Sequence, residues 1–207
     1  MISYFIVGLA IPTVFNTNIW RSLDGAFSSI ANIATIVIAN AVFFLGTSKI
    51  TGNRLLIFSN VTFANILLAV GCSLFFFILL DCLFDPFFDK LFPQSSFDYE
   101  VMLASLRRQP ISSFIRVCLI APVAEEFIIR GYVLNGLNNK YGFRMALLIS
   151  TVLFAMLHFN FVQTISALIC GLVIGLLYIK TDSLFCCVLT HITYNTISYF
   201  VYISAST

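Results

Sequence analysis

The sequence predicts an all-α, polytopic transmembrane helix bundle of about six to eight helices enclosing an intramembrane polar cavity. Three observations carry that expectation. Of the 207 residues, 60% are hydrophobic and 10% charged, against about 25% charged in soluble domains, and the mean hydropathy is +1.00. Apolar runs long enough to cross a hydrocarbon core of about 30 Å recur along the chain. Finally, a handful of polar side chains, Glu125, Glu126, Arg130, His158, His191 and Asn195, fall in or beside the apolar runs of the C-terminal half. The length suits one integral membrane domain over residues 1–207, at about 20 residues per span. Its motif-bearing core is 111–203.

Met1 to Phe15 is apolar, but at 1.5 Å per residue it reaches only about 21 Å, which fits a tilted, partly interfacial helix. No Lys or Arg precedes it and no A-x-A site follows, so a cleaved secretory signal is not expected. Asn16 to Gly25 is a polar connector carrying Trp20, a residue type that favours the headgroup region. Phe27 to Leu45 is the first full span, followed by a loop with Lys49 and Arg54. Val61 to Leu83 is the next, closed by Asp81, Asp85 and Pro86. Residues 85–110 then alternate charged and aromatic positions, and within them Phe97 to Gln109 suits either a short interfacial helix or a solvated loop.

Ile111 to Leu137 is the stretch that needs a reason. Ionised side chains in hydrocarbon cost from a few to more than ten kcal/mol, yet this run holds Glu125, Glu126 and Arg130. Glu126 and Arg130 are four residues apart, on one helix face and in the favourable order for an ion pair. Glu125 lies about 100° round the helix and faces something else. Pro122 predicts a kink or a helix start just before the acids. By itself the pair serves equally well as a clamp between helices.

The run ends at NGLNNKYGFR, where Gly136 and Asn138 to Gly142 supply helix-stop chemistry. Met145 to His158, Phe161 to Ile179 and Leu184 to Ile203 complete the spans. Only Lys180 to Ser183 separates the last two, which are therefore expected to be antiparallel neighbours. Gly171 and Gly175 form a G-x-x-x-G, read as helix packing. Basic residues divide almost evenly between the two sides, so the loops do not assign an orientation.

Several function classes fall away. A net charge of +2 with dispersed basic residues excludes a nucleic-acid partner. The six cysteines lie in or beside apolar runs with no C-x-x-C, and read as buried hydrophobes rather than disulfides or thiolate ligands. No G-x-S-x-G appears, no cysteine has a histidine at a telling spacing, and there is no H-E-x-x-H.

What remains is the polar set itself. The chain has two histidines; Asn195 lies four residues beyond His191, on the same helix face. Two histidines, an asparagine and a carboxylate pair on separate segments have their simplest common purpose in one cavity. A desolvated glutamate can take a proton from water and return it to a leaving amine. Histidine and asparagine N–H groups can stabilise an oxyanion. The set requires no cofactor, although His158, His191 and Glu125 are also a ligand set able to bind zinc with an open position.

Three motifs, in order and each in an apolar segment, resemble those of a known family: EEFIIR at Glu125–Arg130, FAMLH at Phe154–His158 and HITYN at His191–Asn195. They are similar to the E-E-x-x-x-R, F-x-x-x-H and H-x-x-x-N of the CAAX prenyl protease and bacteriocin-processing family of intramembrane proteases, the type II CAAX endopeptidase or Abi family. The resemblance implies a multi-pass protein of the cell membrane that hydrolyses a peptide bond in a substrate arriving from the bilayer or its surface. It implies that Glu125 activates water beside His158, that His191 and Asn195 form the oxyanion site, and that Glu126 and Arg130 support them. Both metal-dependent and metal-free mechanisms are described for the family. Two readings compete with an endopeptidase: a non-enzymatic scaffold or bacteriocin immunity protein using the cavity for binding, and a small transporter or proton relay.

Overall fold

The computed structural model describes residues 58–158 and 160–204, together with scattered positions between 33 and 46. The chain divides into two units, Met1–Leu55 and Leu56–Thr207. The expected Met1–Phe15 helix, the Asn16–Gly25 connector and most of the Phe27–Leu45 span lie outside the described residues. Among the described residues the second unit contains six helices and no strand.

Helix α1, Phe63–Leu91, starts at Thr62, whose hydroxyl accepts from the Asn65 backbone N–H at 3.2 Å. It was expected to stop near Leu83, and instead it runs through Asp85 and Pro86. A proline inside a helix clashes with the carbonyl four residues back and leaves it without a donor. Here the turns just before it, Phe77–Phe84, are wound as a π-helix, and that wider winding accommodates the mismatch. The same device recurs at Pro122, preceded by a π-segment at Ile115–Ile120, so the expected break before the acidic pair becomes a change of winding inside one continuous helix.

Helix α2, Pro93–Arg107, occupies most of what reads in the sequence as a polar connector. It and helix α3, residues 110–141, both begin at a proline, with Phe92 at φ −129° and Gln109 at φ −137° before them. The residue before proline is pushed out of the helical region, and proline suits the first helical position, so these two X-Pro steps set the corners. Helix α3 carries a second π-segment, Phe127–Leu134, directly after the acids. It ends at Gly142, whose φ of +77° suits glycine.

Helices α4 (Phe143–Ala155), α5 (Phe161–Thr181) and α6 (Leu184–Ser204) complete the unit. Helix α4 ends three residues before His158, which sits in the connecting segment. Helices α5 and α6 are joined by Asp182 and Ser183 alone, with Asp182 in the left-handed region at φ 49°. Such a short link makes them antiparallel neighbours.

Packing follows side-chain size. A Cβ at Gly171 would lie 3.2 Å from Phe154 and 3.3 Å from Thr151, and one at Gly175 would overlap Leu147, so α4 approaches α5 where only glycine leaves room. Helices α1, α5 and α6 meet at Ala69, Leu177 and Cys186, and the Thr190 hydroxyl of α6 donates to the Ala69 carbonyl of α1 at 3.0 Å. Four of the cysteines, Cys118, Cys170, Cys186 and Cys187, are buried as free thiols. Helices α1, α5 and most of α6 are long and apolar enough to cross a membrane. Helix α3, with Arg116, Glu125, Glu126 and Arg130, is not among them.

Candidate active site

Glu126 and Arg130 are fully buried, with Arg130 Nη1 donating to Glu126 Oε1 at 2.9 Å. The second guanidinium nitrogen, Nη2, donates to the Gly171 carbonyl at 3.0 Å, and the group lies 4.7 Å over the Phe154 ring. The ion pair expected from the i, i+4 spacing is therefore present, and it ties α3 to α4 and α5. Glu126 has a further partner that its own helix could not reveal: the same Oε1 accepts from His191 Nδ1 at 2.8 Å. Its Oε2 is buried and has no partner among the described residues.

Glu126, paired with Arg130, can only accept, so Nδ1 of His191 carries the proton. That fixes the ring and turns Nε2 towards Glu125, whose Oε2 is 3.9 Å away. Glu125 keeps 24% of its side chain exposed, whereas Glu126 keeps none. The two adjacent acids thus divide as their angular separation on the helix requires: one is locked into the protein, the other opens onto a void.

That void is a cavity of about 820 Å³, and Glu125, His158, His191 and Asn195 all line it. Both imidazoles rest edge-on against Phe154, with ring centroids 5.3 Å (His158) and 5.7 Å (His191) away. Nδ1 of His158 lies 3.3 Å from the Phe154 carbonyl, the acceptor one turn back. Asn195 uses one amide hydrogen on the Val117 carbonyl, at 3.0 Å, and the amide has a second. Phe154, itself buried, is the common support of Arg130, His158 and His191.

Other lining residues went unrecognised in the sequence. Asp81 and Asp85 face the same cavity from α1. They were read as closing a span, and the helix carries on past them. Asn160 caps α5, its Oδ1 accepting from the Val162 and Gln163 backbones, and holds α2 through Ser95 at 2.7 and 2.8 Å. Tyr99, on α2, also lines the cavity. Burial first, and then the carboxylates of Asp85 and Asp81, push its phenol above the ordinary range, so it stays a neutral donor.

Residues 107–197, which include all six of these polar motif residues, match the family model described as type II CAAX prenyl endopeptidase Rce1-like. Over this stretch, a little under half of the chain, the sequence is similar to that family. Neither the curated proteins nor the solved structures contain a match to it. The similarity supports, in broad class, a CAAX-type intramembrane protease. Among the described residues no three His, Cys, Asp or Glu side chains are grouped so as to hold a metal ion. The zinc set of His158, His191 and Glu125 is not gathered in this conformation.

Proposed function

We propose that this Rce1-like chain is a multi-pass endopeptidase of the cell membrane that hydrolyses a peptide bond with water activated by Glu125. The observation that carries the reading is the placing of Glu125 Oε2 3.9 Å from His191 Nε2 on the wall of one cavity. Two polar atoms at that spacing are suited to share a bridging water. Glu125 takes one proton from this water as the oxygen attacks the substrate carbonyl, and later returns it to the leaving amine. Asn195, through its second amide hydrogen, and His191, when protonated at Nε2, donate to the oxyanion. His158 lines the same cavity and orients the water or the substrate amide.

Glu126 and Arg130 are positioning residues: they hold His191 and touch nothing that reacts. The substrate, a peptide or protein segment, reaches the site from the bilayer or its surface. A Glu125→Gln protein keeps the size of the side chain and loses the base, so cleavage should fall by about 10² to 10⁴-fold with folding unchanged. Cleavage at the parent rate by a folded Glu125→Gln protein refutes the assignment and leaves a binding or immunity protein as the better account of the same cavity.

A further inference from the structure

The cavity wall carries charge of one sign. Asp81, Asp85, Asp89, Asp98, Glu100 and Glu125 line it, and among the described residues no Lys or Arg does. The chain has nine acidic residues and a net charge of +2, so this concentration is not a reflection of overall composition. Glu100 has a cation, Arg107, at 3.7 Å. Asp81 and Asp85 have hydroxyls instead: Ser198 donates to Asp81 Oδ1 at 2.8 Å, while Ser166 and Tyr202 reach Asp85 at 3.4 and 3.5 Å.

Asp81 is the telling group. It sits in the middle of an apolar helix and is 9% exposed. Its Oδ2 makes no direct hydrogen bond among the described residues, and besides Ser198 the side-chain groups acting on the carboxylate are the neutral hydroxyls of Tyr194 and Tyr202. A buried carboxylate without a counter-charge is costly, and an ionisable group kept in such a place marks a site. Asp81, Asp85 and Asp89 follow at intervals of four along α1, so their carboxylates form a ladder of about 12 Å rather than a cage. No metal-holding group is present among the described residues. The rings of Tyr99 and Tyr202 meet edge-on at 6.4 Å on the same wall. Carboxylates interleaved with aromatic faces are a receptor for an ammonium or guanidinium group.

We infer that this wall is a subsite for a basic side chain of the substrate, received by Asp81 and Asp85 beside the tyrosines. The inference deepens the endopeptidase reading and rests on it for the word substrate; the binding itself does not depend on cleavage. Ser198, which holds Asp81, lies seven residues from His191 on α6, or about 10 Å along the helix. At about 3.3 to 3.6 Å per extended residue, the basic residue falls within about three positions of the bond attacked.

The test uses full-length protein in lipid nanodiscs, carrying Glu125→Gln so that nothing is turned over. Its probes are fluorescent apolar peptides with a single Lys, each paired with a norleucine analogue. The Lys peptides should bind about 10- to 100-fold more tightly, and Asp81→Asn with Asp85→Asn should abolish that preference without weakening the norleucine peptide. Equal binding of the two peptides, or a preference that survives in the folded double variant, overturns the proposal. So does displacement of the Lys peptide by micromolar Ca²⁺ or Mg²⁺, which marks a metal site instead. Should the double variant fail to fold, the Lys-to-norleucine ratio with the aspartates intact still decides. The protein with Glu125 restored cleaving neither peptide sinks the endopeptidase reading and leaves the cation preference standing.

Discussion

Replacing Arg130 with Met tests whether the buried Glu126–Arg130–His191 array is a positioning device. The side chain is fully enclosed, so the substitution removes a charge-assisted hydrogen bond to Glu126 at 2.9 Å and leaves that carboxylate with His191 alone. It also removes the donor to the Gly171 carbonyl and the cation over Phe154. The carbonyl belongs to a helix of its own, so its loss is the smaller part. Breaking one side of a buried ion pair costs about 3–5 kcal/mol. At about 2–4 °C per kcal/mol for a chain of this size, the melting temperature in detergent should fall by about 6–20 °C.

The double variant Glu126→Leu with Arg130→Met then separates stability from function. Apolar residues of similar volume in place of a buried pair are often neutral or better, so most of the lost melting temperature returns. Cleavage of a fluorogenic peptide library does not return, because His191 Nδ1 has lost its acceptor and the ring no longer presents Nε2 to Glu125. A single variant melting within about 2 °C of the parent, well inside that range, refutes the argument. So does a double variant that cleaves at the parent rate.

Three further outcomes are expected. Gly171→Ala places a methyl 3.2 Å from Phe154 and 3.3 Å from Thr151; it should cost about 1–3 kcal/mol of stability and lower activity through the displaced ring, with Gly46→Ala, which meets nothing within 4 Å, as the control. Asn195→Ala should reduce kcat by about 10² to 10³-fold if its amide faces the oxyanion, with KM little changed, as steady-state kinetics will show. Asn160→Ala removes the cap of α5 and the tie to Ser95; a loss of about 1–2 kcal/mol should appear in thermal unfolding, with faster amide exchange in the first turn of α5 and in α2.

The fold class was legible because its signal is bulk: long apolar runs leave a chain few alternatives to helices. Local chemistry also read through, as at Gly142, at the short link between α5 and α6, read as Lys180 to Ser183 and found two residues shorter, and at the two glycines that admit α4. Where the reading stopped short, proline was the cause. Pro86 looked like the end of a span, but a π-wound stretch lets the helix continue, and that winding has no clear mark in the sequence. Pro93 and Pro110 set a corner on each side of α2, in a stretch whose sequence suits a short helix and a loop equally.

The site divides the same way. Spacing within one helix was enough to pair Glu126 with Arg130 and to separate Glu125 from both. The contact from Glu126 to His191 crosses 65 residues, and no periodicity reports a contact between helices. Likewise Asp81 and Asp85 share the cavity with Glu125 only because α1 packs beside α6. A fragment of sequence can say that an acid is out of place in an apolar run, not which wall it decorates.

One phenyl ring, that of Phe154, bears a guanidinium and two imidazoles at once. Three instruments on a single pedestal cannot be retuned one by one: a push on the ring shifts them together, and close-packed surroundings favour a jump to another arrangement over a graded slide. Damage to this packing should therefore show up as a smaller share of working molecules, each running at full speed, rather than as a uniform population that runs slowly.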